Sequence, residues 1–83
     1  MERIRLYAIN EYKYAIIAAS CKEDACQLFY DTVKDKFNGS VLFSKNFITE
    51  KMMLIDSISP AYKYYSSQLP ENVTLPYIIL ISD

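Results

Sequence analysis

The stretch RIRLYAINEYKYAIIAA, residues 3–19, decides the fold of this chain. Its first half alternates in polarity, so Ile4, Leu6 and Ala8 share one face of a predicted strand. Residues 12–19 are rich in aromatic and β-branched side chains and predict a second strand. A tight turn at Asn10-Glu11 would join the two strands, and we therefore predict a β-hairpin.

The register of this hairpin determines which side chains share a face. With a two-residue turn, Tyr7 faces Tyr14 and Leu6 faces Ala15, and a four-residue turn leaves the faces unchanged. One face, which we expect a helix to cover, carries Ile4, Leu6, Ala8, Ala15 and Ile17. The opposite face carries Arg3, Arg5, Tyr7, Tyr12, Tyr14 and Ile16.

A helix is predicted over about residues 22–37. Ser20 and Glu23 form a capping box, in which the serine accepts from a free backbone N–H and the glutamate reaches back. Asn38-Gly39 supplies the left-handed residue that ends a helix. Apolar residues at helical spacing form the expected buried stripe: Ala25, Leu28, Phe29, Val33 and Phe37, flanked by Cys26 and Thr32.

The second half of the chain is less regular. The segments VLF and KMMLIDSI favour strands near residues 41–44 and 51–57, although residues 48–58 also carry a helical period. Ser59-Pro60 is a good N-cap and first helical residue, so residues 61–67 are expected to form a short helix or turn. The apolar run 77–81 suits a strand that is central or covered on both sides, although the sequence leaves its position, central or at an edge, open.

These elements predict a single α+β domain, residues 1–83, in the order ββαββ(α)β. We expect a mainly antiparallel sheet of four to five strands with one principal helix packed on one face. The hydrophobic share of 52% is ample for the core of such a domain, although a chain of 83 residues has a small stability margin.

The composition excludes most familiar catalytic chemistry. The chain has no histidine, so it lacks the usual general base at neutral pH and cannot build a Ser/His or Cys/His nucleophile. Cys21 and Cys26 do not have the spacing or the number of a zinc site. The single glycine excludes a phosphate-binding loop or a dinucleotide fingerprint. We therefore expect a protein without enzymatic activity, metal or cofactor.

The location is predicted by elimination. The N-terminal segment MERIRLYAIN carries charges and lacks the apolar region of a signal peptide. No apolar run reaches the ~18 residues of a membrane-spanning helix. We therefore expect a cytoplasmic protein that does not associate with membranes. A net charge of −1 provides no positive field to gather phosphates, so nonspecific nucleic-acid binding is not favoured.

The predicted open face of the hairpin combines arginines with tyrosines: Arg3, Arg5, Tyr7, Tyr12 and Tyr14. Rings beside guanidinium groups are typical of sheets that stack unpaired bases. The glycine and alternating aromatics of the RNP pattern are absent, and cross-strand tyrosine pairs also stabilise ordinary sheets. Three interpretations therefore stay open: structural packing, a protein-binding or self-association face, and a nucleic-acid surface.

A second group of tyrosines lies in AYKYYSS, residues 61–67. Tyr62, Tyr64 and Tyr65 cannot all point into the core from one helical turn, so at least one should be exposed or in an interface. Tyrosine combines a large contact area with few rotatable angles and a hydroxyl, and it is enriched in interfaces. The alternative is that this segment packs over the edge of the sheet.

The segment IRLYAINEYKYAIIAASCKEDACQLFYDTV, residues 4–33, joins a hairpin that ends in small residues to a capped helix. It resembles small proteins encoded by phages and mobile elements of low-GC bacteria, which include anti-CRISPR and other anti-defence inhibitors. The resemblance covers about the first 37 residues and transfers no functional residue. It implies a non-enzymatic inhibitor or adaptor that docks a larger protein complex, such as a CRISPR-Cas effector.

Two further interpretations accompany this one. The chain could instead be a nucleic-acid or nucleotide-binding module that uses the Arg/Tyr face of the hairpin. An open sheet edge and a tyrosine-bearing face also make a homodimer an expectation.

Overall fold

A computed structural model describes residues 4–11, 13–37 and 44–82, and these form one open antiparallel sheet with helices packed on it. Along the chain the elements are β1 (Arg5–Glu11), β2 (Lys13–Ala19), α1 (Lys22–Phe37), α2 (Lys45–Lys51), β3 (Met53–Leu54), α3 (Pro60–Ser66) and β4 (Tyr77–Ile81). The strand order is β3-β1-β2-β4, and each neighbouring pair is antiparallel. The predicted α+β class with a mainly antiparallel sheet is confirmed.

The hairpin formed by β1 and β2 has a different register from the predicted one. Tyr7 lies opposite Ile17 and Leu6 lies opposite Ala18, three positions further along β2 than expected. Asn10 is itself a paired residue of β1, so the prediction of a turn at Asn10-Glu11 is wrong. Because side chains alternate with a period of two, a shift by an odd number exchanges the faces of one strand relative to the other.

The exchange changes the composition of both sheet faces. The first face carries Arg5, Tyr7, Ile9, Ala15, Ile17 and Ala19. The second face carries Leu6, Ala8, Tyr14, Ile16 and Ala18. The prediction that Leu6 and Ala8 share a face with Ala15 and Ile17 is therefore wrong.

The main core forms between the first face and the helices α1 and α2. It consists of buried residues from the sheet, from both helices and from Met52: Tyr7, Ile9, Ala15, Ile17, Ala19, Ala25, Cys26, Phe29, Val33, Ile48 and Met52. The predicted bounds of α1 are confirmed, as is most of its buried stripe, because Ala25, Phe29 and Val33 are each at most 1% exposed. The flanking Thr32 is exposed and instead bonds the Leu28 carbonyl through its hydroxyl. The predicted end of the helix at residues 38–39 lies outside the described residues, as does the side chain of Phe37.

The second face is buried as well, which the expectation of one helix on one face did not include. Leu6, Ile16 and Ala18 on this face are fully inaccessible to solvent. The helix α3 lies against it, because the Tyr62 hydroxyl donates to the Ile4 carbonyl at 3.1 Å and the nearby Tyr14 raises the pKa of Tyr65. The sheet is therefore a middle layer between α1 and α2 on one side and α3 on the other.

The segment that the sequence left open, residues 48–58, divides between helix and strand. The helix α2 begins after the N-cap Ser44, whose hydroxyl accepts from the Phe47 N–H at 3.1 Å, and β3 follows as a two-residue strand. The predicted strand at 51–57 is thus wrong except for its centre. Of the predicted strand at 41–44, residues 41–43 lie outside the described residues. Its last residue, Ser44, caps a helix.

The last strand, β4, pairs with β2 at the edge of the sheet and not at its centre. Its burial alternates only partly, with Tyr77 and Leu80 exposed, so the strand takes the edge position that the sequence left open, and the expectation of a covered strand is wrong. The central positions belong to the hairpin, whose small residues Ala15, Ala18 and Ala19 allow the helices to approach closely.

Candidate protein-binding surfaces

The predicted Arg/Tyr platform is not formed by the residues that the structure describes. Tyr7 is 4% exposed and lies in the core beneath α1 and α2, so its ring cannot stack on a ligand. Arg5 is exposed on the same face as Tyr7, whereas Tyr14 lies on the other face. Arg3 and Tyr12 are not among the residues that the structure describes. The odd shift in register is the physical reason, because it separates side chains that the predicted pairing placed together.

The tyrosines of α3 have different roles. Tyr62 and Tyr65 are half-buried, and the bond from the Tyr62 hydroxyl to the Ile4 carbonyl attaches the helix to the sheet. Tyr64 is 64% exposed, and its ring meets that of Tyr65 edge to face, with 5.1 Å between centroids. The prediction that at least one of the three is exposed is confirmed, and that residue is Tyr64.

Tyr14, Tyr64 and Tyr65 together form what we call the tyrosine cluster. The hydrogen bond to Tyr14, with a smaller contribution from burial, raises the pKa of Tyr65 above its usual value of 10.0. Tyr65 is therefore a neutral hydroxyl at physiological pH. Tyr14 and Tyr64 are exposed, at 36% and 64%, and an exposed tyrosine combines an aromatic ring with a hydroxyl, which suits contact with another protein.

A second surface, the β3 edge, consists of Met53, Leu54 and Ile58. Their exposed fractions are 69%, 61% and 84%. Met53 and Leu54 are exposed because β3 is an outer strand with no further strand on its free side among the described residues. The following turn is fixed by Asp56, whose side chain accepts from the Ile58 N–H at 3.1 Å. The turn therefore holds Ile58 outward.

Among the described residues, the backbone of β3 leaves one peptide edge without a partner strand. Ile55 donates its N–H to the Leu6 carbonyl at 2.8 Å, so Ile55 faces β1, and Tyr7 lies opposite Leu54. In an antiparallel ladder, residues alternate between those that bond the neighbour and those that point away from it. The N–H and C=O of Leu54 therefore point away from β1, toward the open side.

A cleft of about 490 Å³ adjoins the β3 edge, and we call it the edge cleft. It is lined by residues from β1, from the β3 turn and from α3, including Ile4, Arg5, Leu54, Ile55, Asp56 and Tyr62. Neither the Arg5 guanidinium nor the Asp56 carboxylate forms an ion pair with a described residue. The cleft is therefore lined by aliphatic side chains together with two charged residues, Arg5 and Asp56.

Sequence reasoning did not single out the β3 edge. The sequence did contain a sign of this surface, because residues 52–55 are four consecutive apolar residues. An outer strand cannot bury all four of them. Met52 is buried at the end of α2, and its neighbours Met53 and Leu54 are then left to solvent.

The described residues can be compared with the requirements of metal and thiol sites. They contain no group of three or more His, Cys, Asp or Glu side chains that could hold a metal ion. Burial raises the pKa of the Cys26 thiol above its usual value of 9.0, while a hydrogen bond with Thr49 and the charge of Lys22 act in the opposite direction. Cys26 is therefore an inert core thiol at neutral pH. No helix of the described ranges is both long and apolar enough to cross a bilayer.

Comparison with known proteins gives no assignment: no protein-family model, curated protein or solved structure matches this chain. The function must therefore be inferred from the chemistry of the two surfaces.

Proposed function

We propose that this chain is a small, non-enzymatic cytoplasmic protein that docks a larger protein through the β3 edge, with the tyrosine cluster as a second contact. The observation that carries the proposal is the exposure of Met53, Leu54 and Ile58 at 61–84% beside the edge cleft. Scattered apolar residues on a surface need no explanation, but a group of aliphatic side chains rimmed by polar ones is typical of an interaction site.

The energy available from this surface is consistent with docking. The exposed fractions of the three side chains amount to about two fully exposed aliphatic residues. Complete burial of one such side chain contributes about 1.5–3 kcal/mol, so the β3 edge could supply roughly 3–6 kcal/mol. A partner that also contacts Tyr64 gains the area of an aromatic ring of the kind found at interface hot spots.

The nucleic-acid alternative has lost its main support. It depended on Arg5, Tyr7 and Tyr14 sharing an exposed face, and the register separates them. The net charge of −1 also provides no general attraction for phosphates. We therefore favour a protein partner. The narrower proposal, that this partner is an effector complex of a bacterial defence system, rests on the sequence resemblance alone.

The proposal is tested by capture from bacterial lysate treated with nuclease. The bait is compared with a variant that carries Met53→Thr, Leu54→Thr and Ile58→Thr. A matched control carries Tyr77→Thr and Leu80→Thr on the opposite sheet edge, where the exposed fractions are 37% and 38%. We expect a stoichiometric protein that binds the wild type and the control but not the β3-edge variant.

Two results would contradict the proposal. Equal capture by all three baits would remove the β3 edge from the interaction. Recovery of nucleic acid alone from an untreated lysate, lost after nuclease, would favour the alternative. Assay of a purified CRISPR-Cas nuclease with added protein tests the narrower proposal, which fails if cleavage is unchanged while capture of another protein persists.

A further inference from the structure

The free side of β3 has the features of a strand-addition site. We propose that the partner contributes an extended segment that pairs with β3 as a fifth strand and continues into the edge cleft. This inference rests on the proposed function, because it names how the docked protein binds at the same surface. It commits to one kind of occupant, an extended peptide with apolar residues at alternate positions.

The outward peptide edge of Leu54 favours pairing with a further strand. One residue there presents a donor and an acceptor side by side, directed away from β1. This is the arrangement with which a sheet edge receives another strand. A protein that docked through side chains alone would leave both groups to water.

The apolar side chains of β3 are also placed for contact with an added strand. Leu54 lies opposite Tyr7 and so extends the first sheet face, whereas Met53 lies opposite Ala8 and extends the second. A strand added beside them would place successive side chains on alternate faces, each next to one of these residues. The expected occupant therefore has apolar residues that can contact Leu54 on one face and Met53 on the other.

The two charged residues that line the edge cleft, Arg5 and Asp56, suit a peptide backbone. A peptide unit carries one N–H donor and one C=O acceptor. Arg5 can donate to such a carbonyl, and Oδ2 of Asp56 can accept from such an N–H. The cleft volume of about 490 Å³ is within the range of sites that enclose small ligands, and so it is sufficient for a short stretch of extended chain.

A second copy of this chain fits the same edge less well. Stable dimers bury about 800 Å² per partner, contributed by about 20–30 residues on each side. The β3 edge offers a two-residue strand and three exposed aliphatic side chains. An extended segment gains backbone hydrogen bonds and side-chain contacts from a site of this small size, whereas two folded copies would need more surface.

The test uses the whole protein to select binders from a phage-displayed library of random decapeptides. The selected peptides are then measured against Leu54→Pro and the matched control Leu54→Val. Proline removes the outward N–H and leaves the ladder to β1 intact, because Leu54 does not donate to β1, and an edge strand tolerates it. We expect about a tenfold weaker dissociation constant for Leu54→Pro and less than a twofold change for Leu54→Val.

A second measurement covers the case in which Leu54→Pro does not fold. In the wild type, bound peptide should slow hydrogen exchange of the Leu54 amide by at least tenfold, and it should leave the Tyr64 amide unchanged. The proposal is overturned if no peptide is selected, if selected peptides bind both variants equally, or if the Leu54 amide stays unprotected. It is also overturned if light scattering shows a wild-type dimer that Leu54→Pro dissociates, because a second copy would then occupy the edge.

These outcomes are separable from failure of the proposed function. Capture that depends on the β3 edge, without strand addition by peptides, would keep docking and reject this mode of binding. Peptide binding at Leu54 without any captured protein would keep the strand-addition site and reject the docking of a larger protein.

Discussion

The burial of both sheet faces makes a specific prediction about two adjacent residues. Ile16 and Ile17 point to opposite faces of β2, and both are fully inaccessible to solvent. Removal of one methylene from a buried isoleucine lowers the free energy of unfolding by about 0.5–1.5 kcal/mol. We expect Ile16→Val and Ile17→Val to cost similar amounts within this range. In a domain of this size, each kcal/mol lost from the free energy of unfolding lowers the melting temperature by roughly 4–8 °C.

The assay is urea denaturation followed by far-ultraviolet circular dichroism, with equal m-values as the check that the denatured states are comparable. Ile58→Val is the matched control, because Ile58 is 84% exposed and the same change there should alter the free energy of unfolding by less than about 0.5 kcal/mol. A value for Ile16→Val that matched Ile58→Val, with Ile17→Val costly, would refute the covered second face. The same result would contradict the roles of Tyr62 and Tyr65 in holding α3 against that face.

Three further predictions concern individual side chains. Tyr62→Phe should lower the free energy of unfolding by about 0.5–1.5 kcal/mol in urea denaturation, because it removes the hydrogen bond to the Ile4 carbonyl, whereas Tyr64→Phe should leave it unchanged. The raised pKa of Cys26 means that this thiol ionises first in the unfolded chain, so its contribution to the free energy of unfolding should be constant below pH 9.0 and fall above it, and Cys26→Ala should remove that contribution to the fall. A pH-independent difference between the wild type and Cys26→Ala would contradict this. Ultraviolet absorbance titration should detect a tyrosine that ionises above pH 10.0 and is missing in Tyr65→Phe.

The helices whose ends are marked by specific residues could be predicted from the sequence. The capping box at Ser20 and Glu23 and the apolar period of residues 25–33 each depend on local chain geometry, and they agree on the same helix. Ser59 and Pro60 likewise mark the start of α3, where the serine hydroxyl accepts from the Tyr62 N–H at 3.2 Å. Local signals suffice where local hydrogen bonds determine the structure.

The register of the hairpin could not be predicted in the same way. Alternation identifies two strands but does not say which residues lie opposite each other, and Asn10-Glu11 lacks the glycine that would fix a two-residue turn. The choice is made by the packing of α1 and α2, which favours a face that combines Tyr7 and Ile9 with Ala15 and Ile17. A one-dimensional pattern does not contain this information, and the platform predicted from it failed for that reason.

The two edges of the sheet provide an internal comparison that bears on function. Natural sheets protect their edges against unwanted pairing with bulges, charges or short strands. The β4 edge has such protection, because its ladder with β2 is irregular between Ile16 and Ile17, and the exposed fractions of Tyr77 and Leu80 do not exceed 38%. In the part of the chain that the structure describes, the β3 edge is protected by its shortness alone, since its two residues are apolar and 61–69% exposed.

An exposed apolar edge of this kind carries a risk of aggregation. A charged residue at position 53 or 54 would reduce that risk without disturbing the core. Leu54→Lys should therefore leave the free energy of unfolding within about 0.5 kcal/mol of the wild-type value, because the side chain is exposed and its backbone points away from β1. If urea denaturation confirms that small change while capture of the partner is lost, stability is not the reason for the leucine. The apolar edge is then explained by binding. A large loss of stability would instead assign Leu54 to the fold and leave the β3 edge without a functional role.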